Sequence, residues 1–344
     1  MNQPMDFGPA LAEFSREISQ LSLSPLWERQ ARMVPGSACV PAIWKYAQLR
    51  PHLLRATQLI TKKQAERRVL MLENPSLRGS TFISNSLFAG LQIILPGEIA
   101  PSHRHSPSAL RFIVEGEGAY TAVEGERTMM SPGDFVVTPN WTWHDHGNLG
   151  TKPVVWMDGL DTPLAAIFGA MFREDYPNDT HPLTRKDGDA LARYGNSMLP
   201  VNYRGNAPGG STPMLIYPYA RTREALLQLA RSADPDPVHG YKLRYAHPGT
   251  GGHPFPTMAV SMQMLPSDFA GKAARSTESA VYNVVEGRGT VTIGEAKFEF
   301  EPHDVFVAPP WEPCRFDAPE ECVLFSYSDR AAQEALGFLR EQPE

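Results

Sequence analysis

The 344-residue chain has only three cysteines, Cys39, Cys314 and Cys322, and no two of them form a C-x-x-C pair. An odd number at such spacing argues against a disulfide scaffold and fits a reducing compartment. No apolar run approaches the ~18 residues of a membrane-spanning helix. The N-terminal residues also lack the basic region followed by an apolar stretch that marks a secretory signal. A cytoplasmic protein is expected. Nor is basic charge in excess, since 32 Lys and Arg against 38 Asp and Glu leave a net charge of −6, mixed along the chain. That argues against nucleic acid or an anionic membrane as partner.

Proline, at 32 residues, and glycine, at 27, are plentiful and spread throughout. They point to many short strands joined by tight turns. The length exceeds what a single core usually supports, so two domains are expected. Leu11, Phe14, Ile18 and Leu21 mark one face of an N-terminal helix. Further helix is expected around 43–54, broken by Pro51, and around 65–68. From Arg68 the pattern changes to short apolar and β-branched runs at 69–72, 91–95, 110–114, 120–123, 135–138 and 154–157. Turn signals such as Pro96-Gly97 and Ser131-Pro132-Gly133-Asp134 separate them, the pattern of a sandwich or barrel. Residues 162–250 read as mixed, with a loop at 207–211 and a helix at 222–232 capped by Thr222. Strands resume at 258–265.

An internal repeat organises these runs. Val114-Glu115-Gly116-Glu117-Gly118 recurs as Val285-Glu286-Gly287-Arg288-Gly289. Fourteen residues on (132 − 118) lies Pro132-Gly133-Asp134, continuing to Trp141; thirteen on (302 − 289) lies Pro302-His303-Asp304, continuing to Trp311. Two matched blocks in the same order mean two copies of one β unit.

The first copy carries Gly97-x5-His103-Arg104-His105 and, later, Gly133-x5-Pro139-x-Trp141-x2-His144. On a strand, residues i and i+2 point the same way, so His103 and His105 project together. A third imidazole from a distant strand, His144 or else His146, completes a three-nitrogen set with coordination positions left open. Arg111, six residues after His105, shares its face if the strand is unbroken and is suited to a bidentate contact with a carboxylate.

These blocks match the two cupin motifs, and over nearly the whole chain the sequence resembles the gentisate 1,2-dioxygenase family, with its salicylate- and 1-hydroxy-2-naphthoate-cleaving relatives. The resemblance rests on Ala65-Glu66-Arg67-Arg68-Val69-Leu70, Glu73-Asn74-Pro75, Gly90-Leu91-Gln92, residues 108–118 and, most diagnostically, Trp141-Thr142-Trp143-His144-Asp145-His146-Gly147-Asn148. It implies an all-β-dominated bicupin, two double-stranded β-helix (jelly-roll) barrels with N-terminal and linker helices. The implied segments are a helical arm (1–68), a metal-binding barrel (69–165), a linker (166–255), a degenerate barrel (256–330) and a C-terminal helix or tail (331–344).

The resemblance further implies one Fe(II) per chain, held by His103, His105 and His144. The glutamate ligand of the general cupin pattern is replaced by Ala109 and Leu110, which leaves three neutral nitrogens. In the second copy the ligand positions correspond to Ala274, Ser276 and Cys314, so that barrel is expected to be metal-free. Three open positions suit a 2-hydroxybenzoate bound through two oxygens, with dioxygen in the third. Around it the family pattern implies Gln92, Arg67 and Phe88 as substrate-binding residues beside Arg111, and His146 and Asp158 as acid/base groups. Phe88 keeps an aromatic wall but cannot donate a hydrogen bond. The expected reaction opens gentisate between the carboxyl- and hydroxyl-bearing carbons to give maleylpyruvate; salicylate or 1-hydroxy-2-naphthoate are the alternatives within the family. A Zn- or Mn-dependent isomerase or hydrolase and a non-catalytic ligand-binding bicupin are the alternatives outside it. The expected partners are a small aromatic hydroxy acid, dioxygen and further copies of the chain, with a tetramer favoured.

Overall fold

The computed structural model describes residues 8–29, 31–203 and 208–343. The first compact unit, Met1–Pro35, contains the expected N-terminal helix, Gly8–Ser19, and a 3-10 turn at Leu26–Glu28. The second unit, Gly36–Glu344, carries two jelly-roll barrels. No helix among the described residues is long and apolar enough to cross a membrane.

Strand β1 (Ala42–Trp44) lies where helix was expected, and a helix follows over Tyr46–Leu59 with Pro51 inside it. Pro51 removes one intrahelical hydrogen bond, but buried Tyr46 and Leu53 anchor the helix on both sides of it. The next helix, Lys62–Ala65, starts from a capping box between Thr61 and Gln64, and the chain is already extended from Arg68. In the linker the helix spans Tyr219–Ser232. Thr222 lies inside its first turn, donating to the Pro218 carbonyl, so it is not the cap. Of the loop expected at 207–211, Ala207 lies outside the described residues and Pro208–Gly210 forms a 3-10 turn.

The first barrel uses β2 (Arg68–Met71), β3 (Phe88–Ile94), β4 (Ile99–His105), β5 (Ala109–Glu115), β6 (Ala119–Val123), β7 (Glu126–Met129), β8 (Phe135–Thr138), β9 (His144–Asn148) and β10 (Val154–Leu160). Two linker strands, β11 (Arg173–Asp175) and β12 (Ile216–Tyr217), extend it. One antiparallel sheet has the order β12-β8-β5-β10-β3-β2, the other β11-β4-β9-β6-β7. Strands β3, β5, β8 and β10 are apolar on both faces because each face has a partner. Leu91, Phe112, Phe135 and Met157 join a core shared with the C-terminal barrel, while Ile94, Ile113, Val136 and Trp156 have the opposite parity and fill the lumen. Phe112 stacks on Phe325 with ring centroids 4.1 Å apart, and Tyr327 donates to the Phe88 carbonyl at 2.6 Å. Each such buried ring contributes about 1.5–3 kcal/mol, which ties the barrels together beneath the site.

The second barrel repeats this plan. One sheet runs Ala42–Trp44, Val305–Ala308, Ala280–Glu286, Cys322–Ser328, Ala259–Leu265, Tyr241–Arg244; its first strand is β1 from the N-terminal side. The other contains Ala296–Phe300, Gly289–Ile293, Cys314–Ala318, Ala274–Ser276 and the C-terminal strand Glu341–Pro343. The correspondence extends to single bonds. His103 pairs with His144 where Ala274 pairs with Cys314. The Trp141 N–H donates to the His105 carbonyl at 2.8 Å, and the Trp311 N–H to the Ser276 carbonyl at 2.7 Å. The turn before each of the later strands needs a left-handed residue, Gly133 at φ +84° in one and His303 at +74° in the other.

Candidate metal centre

Strand β4 brings His103 and His105 to one face, and β9, its neighbour in the sheet, brings His144 beside them. All three are buried, and one ring nitrogen from each lies within 4.8 Å of the other two. The tautomers follow from the hydrogen bonds. Nδ1 of His103, His105 and His144 faces the carbonyl oxygens of Pro101, Pro107 and Thr142 at 2.9, 2.7 and 2.9 Å. A carbonyl only accepts, so each Nδ1 carries the proton and each Nε2 keeps its lone pair. Burial pushes His103 down to about 2, with the Arg67 guanidinium adding to the effect, and His105 down to about 4; His144 also falls well below the ordinary value. Three neutral imidazoles therefore point lone pairs at one place. The His144 Nε2 is buried without a hydrogen-bond partner, and the His103 Nε2 lies 3.0 Å from Arg67 Nη1, itself a cationic donor. The donor set fits a cation.

Among the described residues this is the one such group of three, and His146 does not join it. Its Nδ1 meets the Thr121 hydroxyl at 3.0 Å, and its ring lies 5.8 Å from that of Trp156. Burial holds its pKa well down, and its Nε2 is unpartnered.

A cavity of 330 Å³ adjoins the cluster, with His105 in its wall. Arg67, Phe88, Gln92, Arg111 and Asp158 line it too, so five of the six other candidate residues converge; His146 does not line it. Phe88, Gln92, Arg111 and Asp158 converge through the lumen-facing parity of β3, β5 and β10, and Arg67 enters from the residue before β2. Arg111 arrives by a different route from the one its spacing implied. The strand is interrupted between His105 and Ala109, and β4 and β5 belong to opposite sheets. Arg111 donates to the Thr138 hydroxyl at 2.5 Å and faces Asp158 at 3.4 Å. Burial lowers its pKa to about 10 against the pull of Asp158, so it stays charged at neutral pH. Asp158 is raised by burial, with Arg111 and Arg67 opposing, and accepts from the Trp156 indole at 3.0 Å. The Gln92 amide has no hydrogen-bond partner among the described residues. The Phe88 ring lies over Gly90, where a Cβ would come 3.2 Å from it.

Arg173 also lines the cavity, and no local pattern in the sequence marks it. It comes from β11, a three-residue linker strand that pairs with β4 so that Arg173 lies opposite His105. Thr138 and Trp156, which hold Arg111 and Asp158, belong to runs that read only as apolar strands.

A family model described as a cupin domain matches residues 90–160. Over 332 residues the chain is 49% identical to gentisate 1,2-dioxygenase 1 of Aquipseudomonas alcaligenes, covering 96% of this chain and 95% of that one. The chain belongs to the gentisate 1,2-dioxygenase family. A gentisate 1,2-dioxygenase of a Streptomyces species is 34% identical, with 96% and 94% of the two chains covered. Among solved structures, the salicylate 1,2-dioxygenase of Pseudoaminobacter salicylatoxidans in its adducts with gentisate superposes with a TM-score of 0.92 at 33% identity, covering 99% of this chain and 96% of that one. The bicupin expectation and the family resemblance are both borne out.

Proposed function

We propose that this chain is an Fe(II)-dependent dioxygenase that opens gentisate between its carboxyl-bearing carbon and the adjacent hydroxyl-bearing carbon. Both atoms of dioxygen enter the product, maleylpyruvate. The observation that carries the reading is three inward-facing imidazole lone pairs beside a cavity that also holds the Arg111 guanidinium. Ferrous iron on His103, His105 and His144 would supply open positions for the substrate's carboxylate and ortho-oxygen and for dioxygen, together with the redox chemistry that activates dioxygen. We assign one iron per chain, because Ala274, Ser276 and Cys314 offer no equivalent set of three.

The chain's own groups bind and orient the ring. Arg111 is the counter-charge to the substrate carboxylate, and Arg67 a second positive group on the same wall. Gln92 offers an unpartnered amide to bound oxygens, and Phe88 an aromatic wall to the ring. Asp158 manages the phenolic protons from the cavity wall, with His146, outside that wall, as acid/base support. The mostly apolar lumen strengthens each of these polar contacts by excluding water.

Phe88 favours a second reading within the same reaction class. It lacks a hydroxyl for the second phenolic oxygen that distinguishes gentisate from salicylate, so salicylate or 1-hydroxy-2-naphthoate would meet the same wall. Anaerobic loading with Fe(II), followed by oxygen uptake with all three acids, decides between them; no uptake with any would refute the reaction class. Metal analysis of the purified protein separates iron from zinc or manganese. We also read 69–165 and 256–330 as the two barrels and 166–255 as a linker that lends strands to both. In the cell we expect a cytoplasmic homo-oligomer, a tetramer favoured, which light scattering of the eluted protein would test. Phe168 and Phe172, 78% and 56% exposed, are the kind of surface such an assembly covers.

A further inference from the structure

The C-terminal barrel has no histidine triad, yet its lumen is not filled. Two adjoining spaces of 220 and 300 Å³ share His239, Lys242, Glu278, Ala280 and Tyr282 in their walls. Lys242 enters from the linker strand Tyr241–Arg244, and among the described residues its ammonium makes no hydrogen bond or ion pair. Its nearest source of compensation, Glu278, is already committed. That carboxylate accepts from Arg330 at 2.9 and 3.2 Å and from the Ser328 hydroxyl at 2.6 Å. Arg330 is held in turn by Glu341 and Glu334. The His239 Nδ1 is buried without a partner, and the Tyr282 hydroxyl has none among the described residues. A half-buried ammonium with no bonded counter-ion is costly, and so is an unsatisfied buried donor.

We propose that the lumen of the C-terminal barrel binds a small organic carboxylate, with Lys242 as its counter-charge, Tyr282 as a hydroxyl donor, and an apolar wall for its body. Lys242 is the cation common to both spaces, Arg244 in the larger one bonding the Gly251 carbonyl, and the carboxylates of Glu278 and Glu341 in the walls favour a singly charged carboxylate over a phosphate dianion. Ala280, Ala308, Pro309 and Phe316 form the apolar side of the smaller space and suit a ring or a short branched chain. The C-terminal strand Glu341–Pro343 pairs with Ala274–Ser276 at the mouth, as β11 pairs with β4 in the first barrel. Both lumens thus open beside an added edge strand.

Isothermal titration of the iron-loaded full chain with benzoate tests this, alongside neutral benzamide. Two benzoate sites per chain are expected, one in each barrel. Lys242→Met should lose the second site, weakening it about 10-fold or more, while oxygen uptake with the ring-cleavage substrate keeps its kcat and KM. Arg111→Met should lose the other site and keep this one, so failure here is distinguishable from failure of the catalytic reading. If Lys242→Met does not fold, Tyr282→Phe replaces it, with an expected weakening of about 2- to 10-fold. A single benzoate site that vanishes in Arg111→Met would overturn the proposal. So would two sites in Lys242→Met, or benzamide binding the second site as tightly as benzoate.

Discussion

On the proposed reading Arg111 is the counter-charge to the substrate carboxylate, and replacing it also disturbs a buried ion pair, so the two effects must be separated. The residue is 2% exposed, bonded to Thr138 and 3.4 Å from Asp158. In Arg111→Met the Asp158 carboxylate loses its nearest cation inside the lumen. Breaking a buried pair in this way costs about 3–5 kcal/mol; Arg67, which also acts on Asp158, places the loss near the lower end. Replacing both members leaves no stranded charge, so Arg111→Met/Asp158→Asn should return to within about 1–2 kcal/mol of the parent. Activity should behave differently. A bidentate, charge-assisted contact with the substrate contributes about 1.5–3 kcal/mol, so kcat/KM falls about 10- to 150-fold, chiefly through KM. That factor should be the same whether residue 158 is Asp or Asn. Guanidinium unfolding and oxygen-electrode kinetics on the four proteins of this cycle therefore give strong coupling in stability and little in kcat/KM. If Arg111→Met leaves kcat/KM unchanged in the Asp158→Asn background, the arginine serves the fold alone.

His144→Ala removes a proposed ligand whose Nε2 is buried without another partner; iron content should approach zero with unchanged circular dichroism, and iron retained at one per chain would displace His144 from the set. Chelation of the parent protein should abolish oxygen uptake, and Fe(II) but not Zn(II) should restore it; recovery with zinc would contradict redox chemistry at the site. Phe88→Tyr adds a hydroxyl at the cavity wall and should raise the gentisate-to-salicylate ratio of kcat/KM about 2- to 10-fold; an unchanged or lower ratio would mean that this wall does not face the distinguishing hydroxyl. Asp329, away from the site, is raised by burial to about 6 although it accepts from Ser86, Ser279 and Gln333. Because the unfolded carboxyl ionises near 3.8 and the folded one later, this group makes stability fall between about pH 4 and 6, by about 3 kcal/mol, and level off above. Asp329→Asn should flatten that fall in urea titrations at a series of pH values; parallel curves for the two proteins would refute the assignment.

The parts of this fold that were legible in the sequence are those that local geometry controls. The H-x-H spacing places two imidazoles on one face whatever the strand's neighbours do, and β4 delivers them as expected. The repeated turn blocks are equally local, and the matched bonds at Trp141 and Trp311 show the same backbone path twice. Where a residue's position depends on sheet pairing across long separations, spacing misled or said nothing. Arg111 reaches the lumen from the opposite sheet, Arg173 through a linker strand, and Ala42–Trp44 by pairing with Val305–Val307 in the other barrel. The two copies also separate two kinds of information that a motif mixes together. His303 occupies the left-handed turn position of Gly133, and Trp311 that of Trp141, so the second barrel keeps the punctuation even where a non-glycine residue is strained by it. The positions that match the first barrel's three histidines, by contrast, hold Ala274, Ser276 and Cys314. The glycine and proline pattern therefore encodes the barrel, and the histidines encode the three-nitrogen donor set. Without a triad the second lumen presents other chemistry, and Lys242 stands in that space.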